Sequence, residues 1–167
     1  VTTRVSLASC RERAPDLDGR LTLRFVTPTR IKHNGNFIEH PEFHAVFRAL
    51  LRRLSSLALF HCGVRLDVDY RGLIAQAESV RLVEDRSRRL DFERYSSRQR
   101  QRMDLSGLVG EAAYEGDLST FAPYLLFGQW THVGKNATFG LGRYELLAPA
   151  PLSSQPTPLP KLGRGSG

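Results

Sequence analysis

The sequence predicts an α+β domain of the ferredoxin-like βαββαβ (RRM-like) type, an antiparallel sheet with two helices on one face. Three observations carry that expectation. Residues 20–26 alternate, with Leu21, Leu23 and Phe25 on one side and Arg20, Thr22 and Arg24 on the other, as in a strand with one buried face. Phe43, Val46, Phe47, Leu50, Leu51, Leu54, Leu57 and Ala58 then recur at spacings of three and four, the signature of a long amphipathic helix. Strands at hairpin spacing, a further helix and a last strand follow, the alternation expected of helices packed on an antiparallel sheet.

The elements follow in chain order. Val5 to Ser9 is a short apolar run that fits a strand, and 11–19 is charged and turn-rich. After the alternating strand, 27–37 reads as a polar loop holding Arg30, Lys32, His33 and Asn34-Gly35. Pro41 suits the first turn of the long helix, Glu42 its positive end and Gly63 its stop. Residues 67–77 fit a second, shorter helix. Residues 79–83 and 90–95 read as two strands joined by the polar turn Glu84-Asp85-Arg86-Ser87. Residues 105–114 are apolar but carry Gly107 and Gly110, the mark of a bulged strand. Thr120 can cap a helix with Pro123 in its first turn, where a missing N–H does little harm. Phe121, Leu125, Leu126 and Trp130 give that helix its apolar side, so Trp130 reads as core. Residues 139–147 form the last strand. From Pro149 the chain is mostly Pro, Ser, Gly and Leu with little to bury, so 1–148 is the expected domain and 149–167 a disordered tail.

The charge points to a polyanion. Lys+Arg total 24 against 17 Asp+Glu, a net +7, and almost all the cations are arginine, which forks onto phosphate. An arginine-rich coding bias gives the same excess, so composition alone leaves both accounts open. No apolar run approaches the roughly 18 residues of a membrane span and no secretory signal is visible, so no membrane partner is expected. Cys10 and Cys62 have no close spacing, and reduced thiols in a cytoplasm account for them. The sequence starts at Val1 rather than methionine, as one lacking its own N-terminus does. Walker and nucleophile-elbow motifs are absent from the sequence, which disfavours those common enzyme classes.

Between the second helix and the last strand lies His132-Val133-Gly134-Lys135-Asn136-Ala137-Thr138-Phe139-Gly140-Leu141-Gly142-Arg143. Three glycines in nine residues let the backbone come close to a ligand and expose several N–H groups. Gly134, Gly140 and Gly142, with Lys135, Asn136, Arg143 and His132, are the candidate RNA contacts here; a tight connector is the alternative. Arg94, Arg98, Arg100 and Arg102 form the densest basic run, either phosphate contacts or a charged strand edge protected from aggregation. His33 is the candidate proton shuttle, with Arg30 and Lys32 beside it as phosphate contacts; a plain surface histidine is the alternative. His40 and His44 have a metal-compatible spacing but no third ligand and the wrong glutamate position for a zinc protease, so no metal and no cofactor are expected. His61 reads as packed, and Tyr95, Tyr114 and Trp130 are the aromatics that can stack on bases.

These stretches also resemble a known family. Leu23-Arg24-Phe25-Val26-Thr27-Pro28-Thr29-Arg30-Ile31-Lys32, Arg52-Arg53-Leu54, Arg94-Tyr95-Ser96-Ser97-Arg98-Gln99 and Gly107-Leu108-Val109-Gly110 are part of the pattern. Gly116-Asp117-Leu118, Gly128-Gln129-Trp130-Thr131-His132-Val133-Gly134-Lys135 and Phe139-Gly140-Leu141-Gly142-Arg143 complete it. Together they resemble the C-terminal half of the CRISPR precursor-RNA-processing endoribonucleases of the RAMP superfamily, over residues 21–147. The resemblance implies two tandem ferredoxin-like domains, binding of CRISPR repeat RNA or crRNA, and metal-independent cleavage. There the ribose 2′-OH attacks the adjacent phosphate and leaves a 2′,3′-cyclic phosphate. It implies as partners an N-terminal RAMP domain, which often carries the catalytic histidine and is not in this sequence, or other CRISPR effector subunits. A non-catalytic RAMP subunit that grips crRNA, and a basic ferredoxin-like domain that binds protein, are the two rival readings.

Overall fold

The computed structural model describes residues 6–91, 93–96 and 101–147; side chains of 93–96 and 101–103 are not described. The expected tail, 149–167, lies outside the described residues. Among the described residues no helix is long and apolar enough to cross a membrane.

The chain starts with a helix, α1 (Leu7–Arg13), where a strand was expected. Ser6 caps it, accepting from the Ser9 N–H at 3.1 Å while its own N–H donates to the Ser9 hydroxyl at 3.0 Å. Of this helix only Cys10 is buried, and the helix lies against the later helix of residues 122–131. β1 (Arg20–Thr29) keeps the expected alternation and is longer than expected. Residues 32–37 form a small hairpin, β2 (Lys32–His33) and β3 (Asn36–Phe37), in place of the expected loop. Its turn is Asn34 and Gly35, with φ of 49° and 85°, both in the left-handed region that two-residue hairpins require.

α2 (Phe43–Cys62) is the long helix, closed by Gly63 at φ 65°, whose N–H donates to the Leu59 carbonyl at 3.2 Å. α3 (Tyr70–Glu78) follows, capped by Asp69, whose carboxylate accepts from the Gly72 N–H at 3.0 Å. β4 (Arg81–Asp85) and β5 (Arg88–Leu90) do not pair with each other as the expected hairpin. Both lie along β8 (Gly107–Glu115), as one strand interrupted at Arg86 and Ser87. The bulge sits against Gly110, whose φ is 115° and whose added Cβ would lie 2.6 Å from the Arg86 carbonyl oxygen. β6 (Glu93–Ser96) pairs with β7 (Gln101–Asp104) as a separate two-stranded sheet, so Arg94 and Arg102 lie outside the main sheet.

α4 (Ala122–Thr131) has Phe121, not Thr120, at its N-cap, and Pro123 in its first turn. Residues 137–139 form a 3₁₀ turn, so the last strand, β9 (Tyr144–Leu147), is shorter than expected. The main sheet runs β4-β8-β1-β9, every pair antiparallel. Counting β4 and β5 as one strand, that is order 2-3-1-4 with helices after the first and third strands, the ferredoxin-like βαββαβ plan.

One sheet face is covered. Leu21, Leu23, Phe25, Ala112, Tyr114 and Tyr144 pack against Phe47, Leu50, Leu51 and Leu125 of α2 and α4. Phe43, Phe47, Tyr114, Phe121 and Tyr124 meet edge-to-face at ring separations of 4.7 to 5.8 Å. Tyr114 and Tyr144 are buried but keep their hydroxyls satisfied, donating to the Pro41 and Leu125 carbonyls at 2.7 Å each.

Candidate nucleic-acid interface

The glycine loop is fastened to the end of β1. Thr27 Oγ1 donates to the Gly140 carbonyl at 3.0 Å and accepts from the Arg143 N–H at 2.9 Å. Gly142 N–H donates to the Pro28 carbonyl at 3.1 Å, Lys135 N–H to the Arg30 carbonyl at 2.8 Å, and Val133 N–H to the Gly142 carbonyl at 2.9 Å. Two glycines make this possible. A Cβ on Gly134 would lie 2.5 Å from the Arg30 carbonyl oxygen, and one on Gly142 would overlap the Val133 carbonyl, with φ of 85° and 73° at the two sites. Gly140 differs: its φ is 81°, but nothing lies within 4 Å of its added Cβ. The close approach at Gly134 and Gly142 is to the chain's own backbone, and Gly140 is the glycine that faces open space.

The loop brings Lys135 to the β2–β3 hairpin. The Phe37 ring there carries three cations: the Arg30 guanidinium at 3.9 Å, Lys32 Nζ at 5.2 Å and Lys135 Nζ at 5.8 Å. Arg30 is held. It bridges Asp104 at 2.8 Å and donates to the Asp104 carbonyl at 2.6 Å, with only 18% of its side chain exposed. Hydrogen bonds from Ser106, then the Arg30 charge, keep the Asp104 carboxyl below the ordinary carboxylate range. Lys32 and Lys135 are exposed and form no ion pair among the described residues. Arg143 is exposed but bridges Glu145 at 3.1 Å. Asn136, at φ 61°, starts the 3₁₀ turn.

Two aromatics flank this end. Phe139 is 58% exposed and Trp130 is 56% exposed, so Trp130 is not core as its helical spacing suggested. α4 turns its apolar face through Ala122, Tyr124, Leu125 and Gly128 instead, and leaves Trp130 on the water side. Tyr114 is fully buried and cannot stack on a base.

The histidines separate. His33 points away from Arg30 and Lys32, towards α2, and meets the His44 ring edge-to-face at 5.1 Å. Burial, then the charges of His44 and Arg48, hold the His33 imidazole below its ordinary pKa, against a weaker pull from Glu78. His132, at φ 62°, has Nδ1 3.2 Å from the Leu141 carbonyl. His40 Nδ1 lies 2.8 Å from the Asp85 carboxylate. It shares no metal geometry with His44, and no group of three metal-ligating side chains occurs among the described residues. His61 is exposed, not packed. Arg94 and Arg102 lie on the β6–β7 hairpin, and Arg98 and Arg100 fall outside the described residues.

Sequence reasoning missed Phe37, His44 and Arg48 as site residues. His44 and Arg48 are four apart on α2, hence on one helix face, and Asn34-Gly35 is a hairpin signal that turns His33 and Phe37 to fixed sides.

The profile of the family described as CRISPR-associated endoribonuclease Cas6 matches residues 23–144. No curated protein sequence gives a significant match. Among solved structures, the chain is similar to a Cas6 mutant, with TM-score 0.62 and 21% identity over 86% of this chain and 57% of that one. It is similar to Thermus thermophilus Cas6, with TM-score 0.65 and 18% identity over 86% of this chain and 58% of that one. A Cas6 substrate-mimic complex aligns with TM-score 0.57 and 23% identity, over 86% of this chain and 58% of that one. The chain therefore spans less than two thirds of the length of these structures, and at such identities the likeness concerns the fold.

Proposed function

The chain belongs to the CRISPR-associated endoribonuclease Cas6 family, and we propose that it grips CRISPR repeat RNA and takes part in metal-independent cleavage of precursor crRNA. The observation that carries the RNA reading is the pair of exposed lysines, Lys32 and Lys135, brought together over Phe37 without an acidic partner. Cations left unpaired on one side of a domain suit a phosphate backbone, and the exposed Trp130 and Phe139 offer faces for unstacked bases. Arg30 then serves as the brace that fixes the Phe37 ring, and Arg143 as a contact already partly neutralised by Glu145.

In the cleavage step the ribose 2′-oxygen attacks the adjacent phosphorus and the P–O5′ bond breaks. The products are a 2′,3′-cyclic phosphate and a 5′-hydroxyl. The 2′-hydroxyl must lose a proton and the leaving oxygen must gain one. His33, held below its ordinary pKa by burial, is neutral near pH 7 and can accept the first proton. A second RAMP domain or other CRISPR subunits are the partners this reading includes, in keeping with the share of the Cas6 structures that the chain spans. Residues 1–148 act as one domain, with 149–167 as its tail.

The test pairs binding with chemistry. Affinity for repeat RNA measured at several salt concentrations should fall steeply with salt. Labelled repeat RNA incubated in chelator should give a cyclic-phosphate end, and His33→Ala should slow cleavage more than it weakens binding. Salt-independent, feeble RNA affinity overturns the RNA reading; binding without cleavage overturns only the catalytic part.

A further inference from the structure

The hairpin β2–β3 has two sides. Lys32 leans over Phe37 with Lys135, while His33 faces the opposite way, against α2. There His33 meets His44 at 5.1 Å, and both lie with Arg48, one helical turn beyond His44. Arg48 is half-buried, its Nε has no hydrogen-bond partner, and it forms no ion pair among the described residues. A buried guanidinium N–H without an acceptor is costly, so the Arg48 side chain is held here without internal compensation. Next to Arg48, α2 and α3 enclose a shallow cavity of about 330 Å³ whose lining includes Tyr70, Arg71 and Glu78.

The charges around His33 come from every element packed on it. α2 contributes His44 and Arg48, and α3 contributes Glu78, with Arg71 across the cavity. One acid faces two arginines and two imidazoles. An ion-pair network built for stability would balance those charges; this cluster is left short of anions, and the charges of His44 and Arg48 add to burial, the larger cause, in lowering the His33 pKa.

We propose that His33, His44 and Arg48 form a second phosphate subsite, which takes a backbone phosphodiester of RNA whose other contacts lie at Lys32 and Lys135. The assignment rests on the RNA reading above. Arg48 supplies the permanent charge. The imidazoles supply charge only when protonated, so an RNA phosphate bound here draws protons from solvent onto them. The grip therefore tightens as pH falls, unlike the lysine contacts, which stay charged throughout the neutral range.

The experiment uses the full chain and 2′-O-methyl repeat RNA, which has no free 2′-hydroxyl to react. Saturating RNA should raise the His33 titration midpoint, followed by NMR, by about one pH unit. Affinity should increase about tenfold between pH 7.5 and 5.5, and His33→Gln combined with His44→Gln should flatten that dependence. Arg48→Gln should weaken binding and lower the salt slope by about 0.7, while Arg48→Lys, which keeps the charge, should retain both. Melting temperatures confirm that each variant is folded. RNA that binds wild type tightly without moving the His33 midpoint overturns the subsite, as does a folded Arg48→Gln with wild-type affinity and slope. If RNA does not bind wild type at all, the RNA reading has failed. Inorganic pyrophosphate then judges the anion site by itself: a raised His33 midpoint in wild type and none in Arg48→Gln keeps it, and no shift in wild type removes it.

Discussion

Replacing Gly142 and Gly140 separately by alanine asks whether the glycine loop is a packed joint or a bare turn. Both residues have left-handed backbones, φ 73° and 81°. For any L-residue that conformation costs about 1–2 kcal/mol. At Gly140 the cost ends there, because nothing lies within 4 Å of the added Cβ. At Gly142 the Cβ overlaps the Val133 carbonyl, and relief requires the two strands of the joint to separate. That movement lengthens Val133 N–H to Gly142 carbonyl (2.9 Å) and Gly142 N–H to Pro28 carbonyl (3.1 Å), both made by the buried Gly142. Losing them adds about 1–3 kcal/mol. Gly142→Ala should therefore cost about 2–5 kcal/mol against about 1–2 for Gly140→Ala. For a domain of this size those figures correspond to melting-point drops of about 6–15 °C and about 3–6 °C. Thermal unfolding by circular dichroism reads both. Equal drops for the two variants would refute the packed-joint account.

The remaining predictions concern binding and pH. Lys32→Ala with Lys135→Ala should weaken repeat-RNA binding and reduce the salt slope by about 1.4, at about 0.7 per single-strand phosphate contact. Arg143→Ala should do less than either lysine change, since Glu145 already neutralises it; equal losses would show that the Phe37 cluster is not the main grip. The pair of His40 and Asp85 should make stability depend on pH. The hydrogen bond to Asp85, then its charge, raises the His40 pKa. That stabilisation is complete below the ordinary histidine value, about 6.5, and is lost as pH rises through the raised one. Burial pushes the Asp85 carboxyl up, but hydrogen bonds from Ser87 and His40 outweigh it and hold the carboxyl low, so its stabilisation is lost only as pH falls through that depressed value. The melting-point gap between wild type and His40→Asn should be widest at mildly acidic pH and close above neutrality; a gap that widens with rising pH would contradict the pairing.

The parts of the fold readable in the sequence were those whose period repeats many times. Residues 20–26 show three alternations, and α2 shows five helical turns with a glycine stop, so local pattern and tertiary burial agree there. Short segments were misread because one cap or one long-range pairing outweighs the pattern. Ser6 and Ser9 reciprocally cap a helix that the apolar run alone presents as a strand. The β4–β5 segment looks like a hairpin with a polar turn, yet β8 offers a partner to both halves, and the turn becomes a bulge over Gly110. Trp130 matched the helical spacing, but α4 is short and apolar nearly all round, so spacing could not say which side faces water. In the candidate site, Gly134, Lys135 and Lys32 were legible as types. Their grouping over Phe37, and the turning of His33 away from them towards His44 and Arg48, depend on a hairpin whose direction no local pattern states.

The distribution of charge over the sheet explains why the loop end, rather than the open sheet face, suits RNA. On β1, on β4 and just before β9, Arg20, Arg24, Arg81 and Arg143 are each matched by a glutamate. Arg20 and Arg81 share Glu115 at 2.5 and 3.5 Å, Arg24 joins Glu111 at 2.8 Å and Glu145 at 4.0 Å, and Arg143 takes the other side of Glu145. Each such exposed pair adds little stability. Together, however, three glutamates cancel most of the positive potential an RNA backbone would meet. The cross-strand register produces this lattice directly: Arg20 lies opposite Glu115, and Arg24 opposite both Glu111 and Glu145. Beyond Phe25 that register breaks, and β1 runs on past the last paired glutamate into the β2–β3 hairpin. Lys32, Lys135, His33, His44 and Arg48 all gather at this unmatched end. An arginine-rich composition need not make every face basic. Here the pairing register compensates Arg20 and Arg24 of β1 and leaves Lys32 and Lys135 without acidic partners where the glycine loop is fastened to that strand's end, which is where the proposed RNA contacts lie.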